Sequence, residues 1–274
     1  MPPIWAEKKL RDYLNIIIPC KKTRTSGQSL PQMNGIIVLD KPASITSAGA
    51  VNRVKRLLDR GVKIGHAGTL DPFATGVLLL LIGKATKSSQ MLMNQPKRYD
   101  ATIKLGAATA TDDLDSPEIP TPGAARPSLE EIEAAAAKFV GTISQRPPAF
   151  SALKVSGRPA YKLARRGQPV DLKARDIRID AIKIISWQWP LLKLRIDCGR
   201  GTYVRAIARD LGEALKTGGY LTELRRTRIG SFDVGQAVTL ERLEKDGIGP
   251  HLRPVSMTDA ENAQQGRQDD QHQR

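Results

Sequence analysis

A single aspartate stands at the entrance to the most apolar segment of the chain. The stretch GHAGTLDPFATGVLLLLIG, residues 65–83, places Asp71 between a glycine-rich approach and the uninterrupted apolar run 77–82. A carboxylate at the edge of a core loses hydration, which is costly unless something compensates. Nearby residues supply neither the second carboxylate that a glycosidase uses nor the oxygen ligands of a cation site. Asp71 is therefore either a turn residue bonded to its own backbone or a lone carboxylate nucleophile.

A cationic segment with an aromatic side chain and an isolated histidine are the next candidates. Lys97 and Arg98 precede Tyr99, and two cations beside an aromatic ring are typical of a site that grips a phosphate backbone while a base stacks. Tyr99 also begins an alternating strand pattern, so an inward-facing core tyrosine is the other interpretation. His66 stands alone, which is more typical of a packed histidine than of a catalytic one.

The segment CGRGTYVR, residues 198–205, joins the end of a predicted strand to the start of a predicted helix. Two glycines flank an arginine, and the helix begins with Tyr203 and Arg205. Free N–H groups at a helix N-terminus favour anions, and Arg205 could pair with a carboxylate and keep its pKa low. The alternative is a surface arginine in the first helical turn. Two more basic segments, residues 148–167 and 221–228, are either solvated faces or phosphate-contacting edges.

The charge balance is strongly positive, with 43 Lys+Arg against 28 Asp+Glu and a formal net charge of +15 over 274 residues. Such a surplus indicates a polyanionic partner, and nucleic acid is favoured over an anionic membrane surface. The longest apolar run is far short of the roughly 20 residues of a membrane-spanning helix, and no signal-peptide cleavage site is present. Cys20 and Cys198 lack a CxxC spacing, and the three histidines form no zinc pattern. We therefore expect a cytoplasmic protein with no metal and no membrane attachment.

Hydrophobic patterning predicts an α+β fold with a mostly antiparallel sheet, because strands recur without a regular βαβ rhythm. Strands are predicted at 35–39, 77–82, 99–105, 177–185 and 192–198, and helices at 47–58 and 203–215. A further helix opens with the capping box of Ser128 and Glu131 and ends before Gly141. Its apolar stripe is predicted to consist of Leu129, Ile132, Ala136 and Phe139.

Composition divides the chain into three parts. Residues 1–32 are predicted to be a basic, flexible N-terminal extension, and Met33 is a candidate for the physiological start. Residues 33–255 are expected to form the catalytic domain. Residues 256–274 are polar and free of aromatics, which predicts a disordered tail. No long apolar stripe is left over, so a monomer is expected.

Six motifs together resemble the TruB family of tRNA pseudouridine synthases over about residues 34–250. They are GIIVLDKP (35–42), GHAGTLDPFATGVLLLLIGKATK (65–87), KRYDATIKLG (97–106), PPAFSALKVSGRPAYKLARRG (147–167), CGRGTYVRAIARDLGEAL (198–215) and LTELRRTRIGSF (221–232). The block GTLDP-x-A-TG is highly specific to that family. The resemblance implies a pseudouridine synthase-like fold, with a mostly antiparallel mixed sheet flanked by helices. It also implies isomerisation of the T-loop uridine at position 55 of tRNA, with neither cofactor nor catalytic metal.

The same resemblance implies a role for each candidate side chain. Asp71 is the nucleophile, Arg205 pairs with it, and Tyr99 stacks on the target uracil and handles the C5 proton. The apolar strand behind Asp71 then serves as a rigid floor that excludes water. The other implied substrate-binding residues are His66, which helps to splay the loop bases, and Tyr203 and Leu224, which line the pocket. Lys41 is implied to support the first motif structurally.

The chain departs from the family pattern in two places. Where the family reads T-D-T-x-D, residues 109–113 read T-A-T-D-D, so that Ala110 replaces an aspartate implied to help base flipping. Many family members also continue into a PUA-type RNA-binding domain, for which too little chain follows Val255. We therefore expect the catalytic domain to bind the T-arm without it, and the basic residues of the N-terminal extension to be an auxiliary contact. Those residues are Lys8, Lys9, Arg11, Lys21, Lys22 and Arg24.

Two other functions are compatible with parts of the pattern. A non-catalytic RNA-binding protein, such as a tRNA-folding chaperone, would carry the same positive charge. Only an enzyme needs Asp71, Tyr99 and Arg205 together, and all three are present. An RNA-guided relative acting on ribosomal RNA is a weaker alternative, because nothing in the sequence suggests the extra domain of such proteins.

Overall fold

The computed structural model describes residues 33–155 and 157–255. The predicted N-terminal extension, residues 1–32, and the predicted polar tail, residues 256–274, lie outside the described residues. Met33, the predicted physiological start, is the first residue that the structure describes. The strands are, in chain order, β1 (Gly35–Lys41), β2 (Ile64–Ala67), β3 (Thr75–Ile82), β4 (Lys97–Leu105), β5 (Ala107–Thr109), β6 (Glu118–Pro120), β7 (Gly141–Gln145), β8 (Lys154–Val155), β9 (Arg158–Pro159), β10 (Arg175–Gln188), β11 (Leu191–Cys198), β12 (Gly219–Ile229) and β13 (Phe232–Asp233). The α-helices are α1 (Ser47–Lys55), α2 (Ser89–Asn94), α3 (Leu129–Ala137), α4 (Ala160–Ala164), α5 (Val204–Ala214) and α6 (Leu240–Asp246).

A nine-stranded mixed sheet forms the centre of the described part of the chain. Its strand order is β1-β3-β12-β4-β11-β10-β7, with β2 paired to β3 and β13 paired to β12. Every pair is antiparallel except β3 with β12, which run parallel. The predicted α+β class with a mostly antiparallel sheet is therefore confirmed. The basic segment 221–228 lies within β12, between β3 and β4, rather than on a helix.

Strand β3 is buried on both faces, which explains its unbroken apolar sequence. Leu78, Leu80 and Ile82 pack into a core with α1 and α6, whereas Leu79 and Leu81 pack into a second core on the opposite face. A strand covered on both sides reads as a continuous apolar run rather than an alternating one. The segment that follows Asp71 is therefore a rigid, dry element.

The alternating patterns of the central strands are confirmed. On β11, Leu192, Leu194 and Ile196 are buried in the largest core cluster, together with Tyr99 and Ile103 of β4. Arg195 and Asp197 lie on the opposite face of the sheet, where they form cross-strand ion pairs with Asp100 and Arg98. Period-two patterning succeeds here because the side chains of a strand alternate between a packed and a polar face.

Two helix predictions needed correction. The predicted helix 47–58 ends at Lys55, because Leu57 and Leu58 close a tight turn in which their N–H groups bond to the carbonyls of Val54 and Lys55. The capping box of Ser128 is present, but Leu129 is 43% exposed. Leu129 occupies the first helical turn, beyond the reach of the core, so the predicted stripe begins at Ile132 instead.

Candidate active site

Asp71 lies in the turn between β2 and β3, as its sequence predicts. The carbonyl of Asp71 accepts a hydrogen bond from the N–H of Ala74 (3.1 Å), which closes the turn. At the start of β3, Gly76 has φ of 98°, and a Cβ there would lie 2.2 Å from the carbonyl oxygen of Arg226. Only glycine permits this approach of β12 to the strand that Asp71 precedes.

Buried side chains hold the residues on both sides of Asp71. The Ser47 hydroxyl accepts from the N–H of Leu70 (2.8 Å) and donates to the carbonyl of the same residue (3.0 Å). The Lys41 ammonium donates to the carbonyl of Pro72 (3.2 Å). Because both contacts come from other elements, β1 and the start of α1, the backbone position of Asp71 is set by tertiary structure.

Arg205 holds the carboxylate of Asp71. Its Nη2 donates to Oδ1 (3.2 Å), and its Nε lies 3.0 Å from Oδ2, although within the described residues no acceptor meets this N–H in hydrogen-bond geometry. Nη1 lies 3.2 Å from Oδ2 of Asp113, and the guanidinium also donates to the carbonyls of Thr111 and Phe150 (3.0 Å each). The side chain of Arg205 is only 5% exposed, so the sequence-based alternative of a surface arginine is wrong.

The protonation of Asp71 reflects opposing influences. Burial raises the pKa of Asp71 above its usual value, the Arg205 guanidinium opposes this, and the second carboxylate, Asp113, raises it further. The net direction is upward. The ion pair that we predicted from sequence is present, but the low pKa that we expected from it is wrong, because desolvation of the carboxylate outweighs the attraction to Arg205.

Tyr99, Tyr203 and Leu224 line one cavity with Asp71 and Arg205, with a volume of about 320 Å³. Tyr99 and Leu224 are 8% and 7% exposed and belong to the main core cluster, so each packs in the core and also lines the cavity. Burial raises the pKa of the Tyr99 phenol. Both interpretations of Tyr99, core residue and cavity residue, therefore apply to the same side chain.

Tyr203 is fixed at the start of α5 by a buried amide. The Gln145 side chain accepts from the N–H of Tyr203 (2.9 Å) and donates to its carbonyl (3.1 Å). The Arg175 guanidinium lies over the Tyr203 ring, 5.3 Å from its centroid. These contacts hold the first turn of α5, from which Arg205 reaches Asp71.

Two predicted site residues lie outside this cavity. His66, on β2, lines a separate cavity of about 560 Å³ with Lys55 and Lys63, and burial lowers its pKa. Lys41 is fully buried and donates to the carbonyls of Pro42 and Ile45 as well as Pro72. Burial lowers the pKa of Lys41 to about 8, and the nearby Asp71 opposes the shift.

Sequence reasoning did not single out four side chains that build the site: Ser47, Asp113, Gln145 and Arg226. Of these, Arg226 carried a usable signal, because it lies two residues after Leu224 and so shares its face of β12. Ala110, where the family pattern has an aspartate, is exposed. Ser47 and Gln145 are ordinary polar residues in the sequence, and their partners lie 23 and 58 residues away.

The described residues contain no group of three or more His, Cys, Asp or Glu side chains placed to hold a metal ion. In the same part of the chain, no helix has the length and apolar character needed to cross a membrane. The site brings together two carboxylates paired with Arg205, the buried Tyr99 and the buried cations Lys97 and Arg226.

Comparison with known sequences finds two family models that match adjoining ranges of the chain. The family model described as TruB family pseudouridylate synthase (N terminal domain) matches residues 55–204, and the tRNA pseudouridylate synthase B C-terminal domain matches residues 205–249. The tRNA pseudouridine synthase B of Aromatoleum aromaticum is 47% identical over 212 residues, covering 77% of this chain and 68% of the relative. That of Mycobacterium bovis (strain BCG) is 47% identical over 213 residues, covering 76% and 71%.

Solved structures are similar over most of the chain. A crystal structure of a Cbf5-Nop10-Gar1 complex matches with a TM-score of 0.63 and 28% identity, covering 84% of this chain and 62% of the other. An H/ACA RNP bound to a substrate RNA containing 2′-deoxyuridine matches with a TM-score of 0.60 and 26% identity, covering 84% and 61%. This chain thus spans less than two thirds of either neighbour.

The matched family models and relatives define the class of this protein as a pseudouridine synthase. The family model covers more than half of the chain, and relatives at 47% identity are matched over at least 68% of their length. The chain belongs to the TruB family, and its activity is the isomerisation of uridine to pseudouridine in tRNA.

Proposed function

We propose that the protein acts on the T-arm of tRNA, at the uridine of position 55, and that Asp71 is its nucleophile after base flipping. The observation that carries the proposal is the ion pair of Asp71 with the buried Arg205, at a cavity that Tyr99 also lines. The Asp71 side chain is 33% exposed at the cavity, and the buried guanidinium of Arg205 favours its anionic form. No cofactor or metal is needed for the chemistry below.

The reaction exchanges one bond for another at the ribose C1′. The bond from C1′ to N1 breaks, the uracil rotates, and C1′ bonds to C5; C5 loses a proton and N1 gains one. Ionised Asp71 forms a transient covalent adduct, with the sugar or with the base, which divides the exchange into easier steps. Release of the adduct restores the carboxylate, which Arg205 stabilises. Strand β3 behind the turn limits the access of water that would hydrolyse an intermediate.

Tyr99 is the residue that we assign to the uracil. Tyr99 lines the cavity while it also packs in the core, so its ring is held in place next to the space that the base would occupy. We assign it the C5 proton as well. Tyr203 and Leu224 form the adjoining walls of the same cavity.

The target uridine must leave the stacked loop to reach Asp71, at a cost of about a few kcal/mol. We assign His66 to the neighbouring loop bases rather than to the uracil, because it lines the separate cavity beside Lys55 and Lys63. Binding of phosphates by the basic surface offsets the cost. Lys41 acts as support, through its bonds to the backbone near Asp71.

We further propose a cytoplasmic monomer, with residues 33–255 as the catalytic domain. The basic residues of the extension 1–32 supply an auxiliary contact with the tRNA. Deletion of residues 1–32 tests this contact: tRNA affinity should fall, and unchanged affinity would remove the idea.

The first test is tritium release from a tRNA transcript that carries 5-tritiated uridine. Asp71→Asn should reduce the single-turnover rate by about 10⁴-fold or more, because it removes the nucleophile. Asp100→Asn is the matched control, since Asp100 lies on β4 next to Tyr99 but pairs with Arg195 on the opposite face of the sheet. It should retain the wild-type rate within about twofold.

A second transcript, with cytidine in place of the uridine at position 55, tests the position. Release from it should be absent if position 55 is the target. If neither the wild type nor Asp71→Asn releases tritium while both bind tRNA tightly, the protein is an RNA-binding chaperone instead. Equal release by both would refute the role of Asp71.

A further inference from the structure

Arg226 is an arginine buried among backbone carbonyls. Its side chain is 1% exposed; Nε donates to the carbonyl of Val77 (2.8 Å), Nη2 to that of Gly68 (3.1 Å) and Nη1 to that of Thr69 (3.4 Å). Burial of a cation is costly, and carbonyl oxygens compensate less than a carboxylate would. Arg226 lines the cavity of the candidate active site, so a role in that site would account for its burial despite the energetic cost.

The sheet register puts Arg226 between the two groups that carry the chemistry. On one side, Arg226 of β12 is opposite Gly76 of β3, five residues after Asp71. On the other side, Arg226 is opposite Tyr99 of β4. The ladder of β12 with β4 is irregular directly after Arg226, and such bulges re-aim side chains next to active sites.

Arg226 and Tyr99 are cross-strand partners that line the same cavity, and the guanidinium lowers the pKa of the Tyr99 phenol against the effect of burial. A guanidinium has only donors, so towards Arg226 the phenol oxygen of Tyr99 can act only as an acceptor. The same guanidinium is anchored by the carbonyls of Gly68 and Thr69, which lead directly into Asp71.

We propose that Arg226 is a positioning residue that holds the Tyr99 hydroxyl at a set place relative to the Asp71 turn. The proposal rests on the function proposed above, in which Tyr99 handles the C5 proton and Asp71 is the nucleophile. A cation beside the phenol oxygen also favours its ionised form. Burial raises the pKa of Tyr99, and Arg226 opposes this rise.

The test compares Arg226→Gln and Arg226→Lys with Arg225→Gln. Arg225 is the adjacent residue on β12, but its side chain pairs with Asp40 and is 41% exposed. Single-turnover tritium release should fall about a hundredfold in Arg226→Gln, because a small misplacement of a reacting group has that effect. Arg226→Lys should lose less, and Arg225→Gln should match the wild type. The tRNA affinity of all three should remain within a few fold of the wild type, so that the loss appears in kcat.

A double-mutant cycle with Tyr99→Phe separates positioning from general damage to the fold. If Arg226 acts through the Tyr99 oxygen, Arg226→Gln should lower the rate much less in the Tyr99→Phe background than in the wild type. In a tyrosine-containing Arg226→Gln enzyme, the part of the pH–rate profile in which the rate rises with ionisation of Tyr99 should move to higher pH, because Arg226 no longer lowers the pKa of the phenol. If thermal unfolding shows that Arg226→Gln does not fold, the same double-mutant cycle is measured with Arg226→Lys.

Three outcomes would overturn the proposal: rates of both Arg226 variants within about threefold of the wild type, losses that add fully to that of Tyr99→Phe, or a loss confined to tRNA affinity. Each of these three outcomes differs from the results expected if the proposed function itself were wrong. If the proposed function were wrong, Asp71→Asn would still release tritium, or the wild type would release none.

Discussion

The two faces of the sheet around β4 treat charge in opposite ways. On the face away from the cavity, cations and carboxylates pair across strands: Arg98 with Asp197, Arg195 with Asp100 (2.7 Å each) and Arg225 with Asp40 (2.8 Å). These side chains are partly exposed. On the cavity face, buried Lys41, Lys97 and Arg226 donate instead to backbone carbonyls. Arg205, in contrast, is paired there with two carboxylates, Asp71 and Asp113.

The difference has a physical consequence for binding. Paired charges on the outer face largely cancel at a distance, and exposed pairs of this kind contribute little to stability. Carbonyl-bound cations on the cavity face keep their net charge in surroundings of low dielectric constant. They therefore leave a positive potential where a polyanionic substrate must place its target nucleotide. Charge on the outer face is largely neutralised by pairing, whereas the cations of the cavity face contribute to the site.

The strongest test of the difference between the two faces compares Arg205, on the cavity face, with Arg195, on the outer face. Arg205→Gln should lower the rate of tritium release by about 10²–10³-fold, because Asp71 and Asp113 lose their buried counter-ion. Asp71 works ionised, and Arg205 lowers its pKa against burial. Loss of Arg205 should therefore raise this pKa further and move the acid limb of the pH–rate profile to higher pH.

Arg195→Gln, on the outer face, is the matched control and should leave both rate and profile close to the wild type. An acid limb that does not move in Arg205→Gln would contradict the assignment of that limb to Asp71. Equal losses in the two variants would remove the distinction between the faces.

A second test concerns the carbonyl-bound cations. Burial lowers the pKa of Lys97 from 10.5 to about 8. Between these pH values the unfolded chain keeps a proton that the folded protein releases, so the lysine makes the free energy of unfolding rise with pH. Relative to Lys97→Met, the wild type should gain up to about 3 kcal/mol across that interval, measured by urea unfolding.

Lys104→Met is the control for removing a lysine from β4, since Lys104 lies on the outer face and pairs with Glu118. Its difference from the wild type should change less over the same interval. A flat difference for Lys97→Met would mean that Lys97 is better solvated than its position implies.

The smallest effect is expected for the cross-strand ion pairs of the outer face, such as Asp100 with Arg195. A double-mutant cycle of Asp100→Ala and Arg195→Ala should give a coupling energy of about 0.2–1 kcal/mol in unfolding experiments. Tritium release by the double variant should stay within about twofold of the wild type. A large loss of activity would show that the outer face also contributes to the site.

Local patterns accounted for much of the fold. The alternation of β4 and β11 and the capping box before α3 depend on neighbouring residues, and the structure bears them out. The predictions that needed correction concern limits and surroundings: where α1 ends, whether Leu129 reaches the core, and the direction of the pKa of Asp71. Each depends on what packs against a segment, which its own sequence does not specify.

The sequence by itself determined which residues could carry chemistry and on which kind of secondary structure each lies. Asp71 lies in a turn before an apolar strand, Tyr99 on an alternating strand, and Arg205 at the start of a helix. Tertiary structure alone decided which cation among the arginines of β12 is buried, and which partners lock the Asp71 turn. Arg225 and Arg226 are identical in type and adjacent, yet one pairs with Asp40 and the other binds carbonyls beside Tyr99. The reason is that side-chain direction along a strand follows from its register with both neighbours, and that register is set by contacts between segments far apart in the chain.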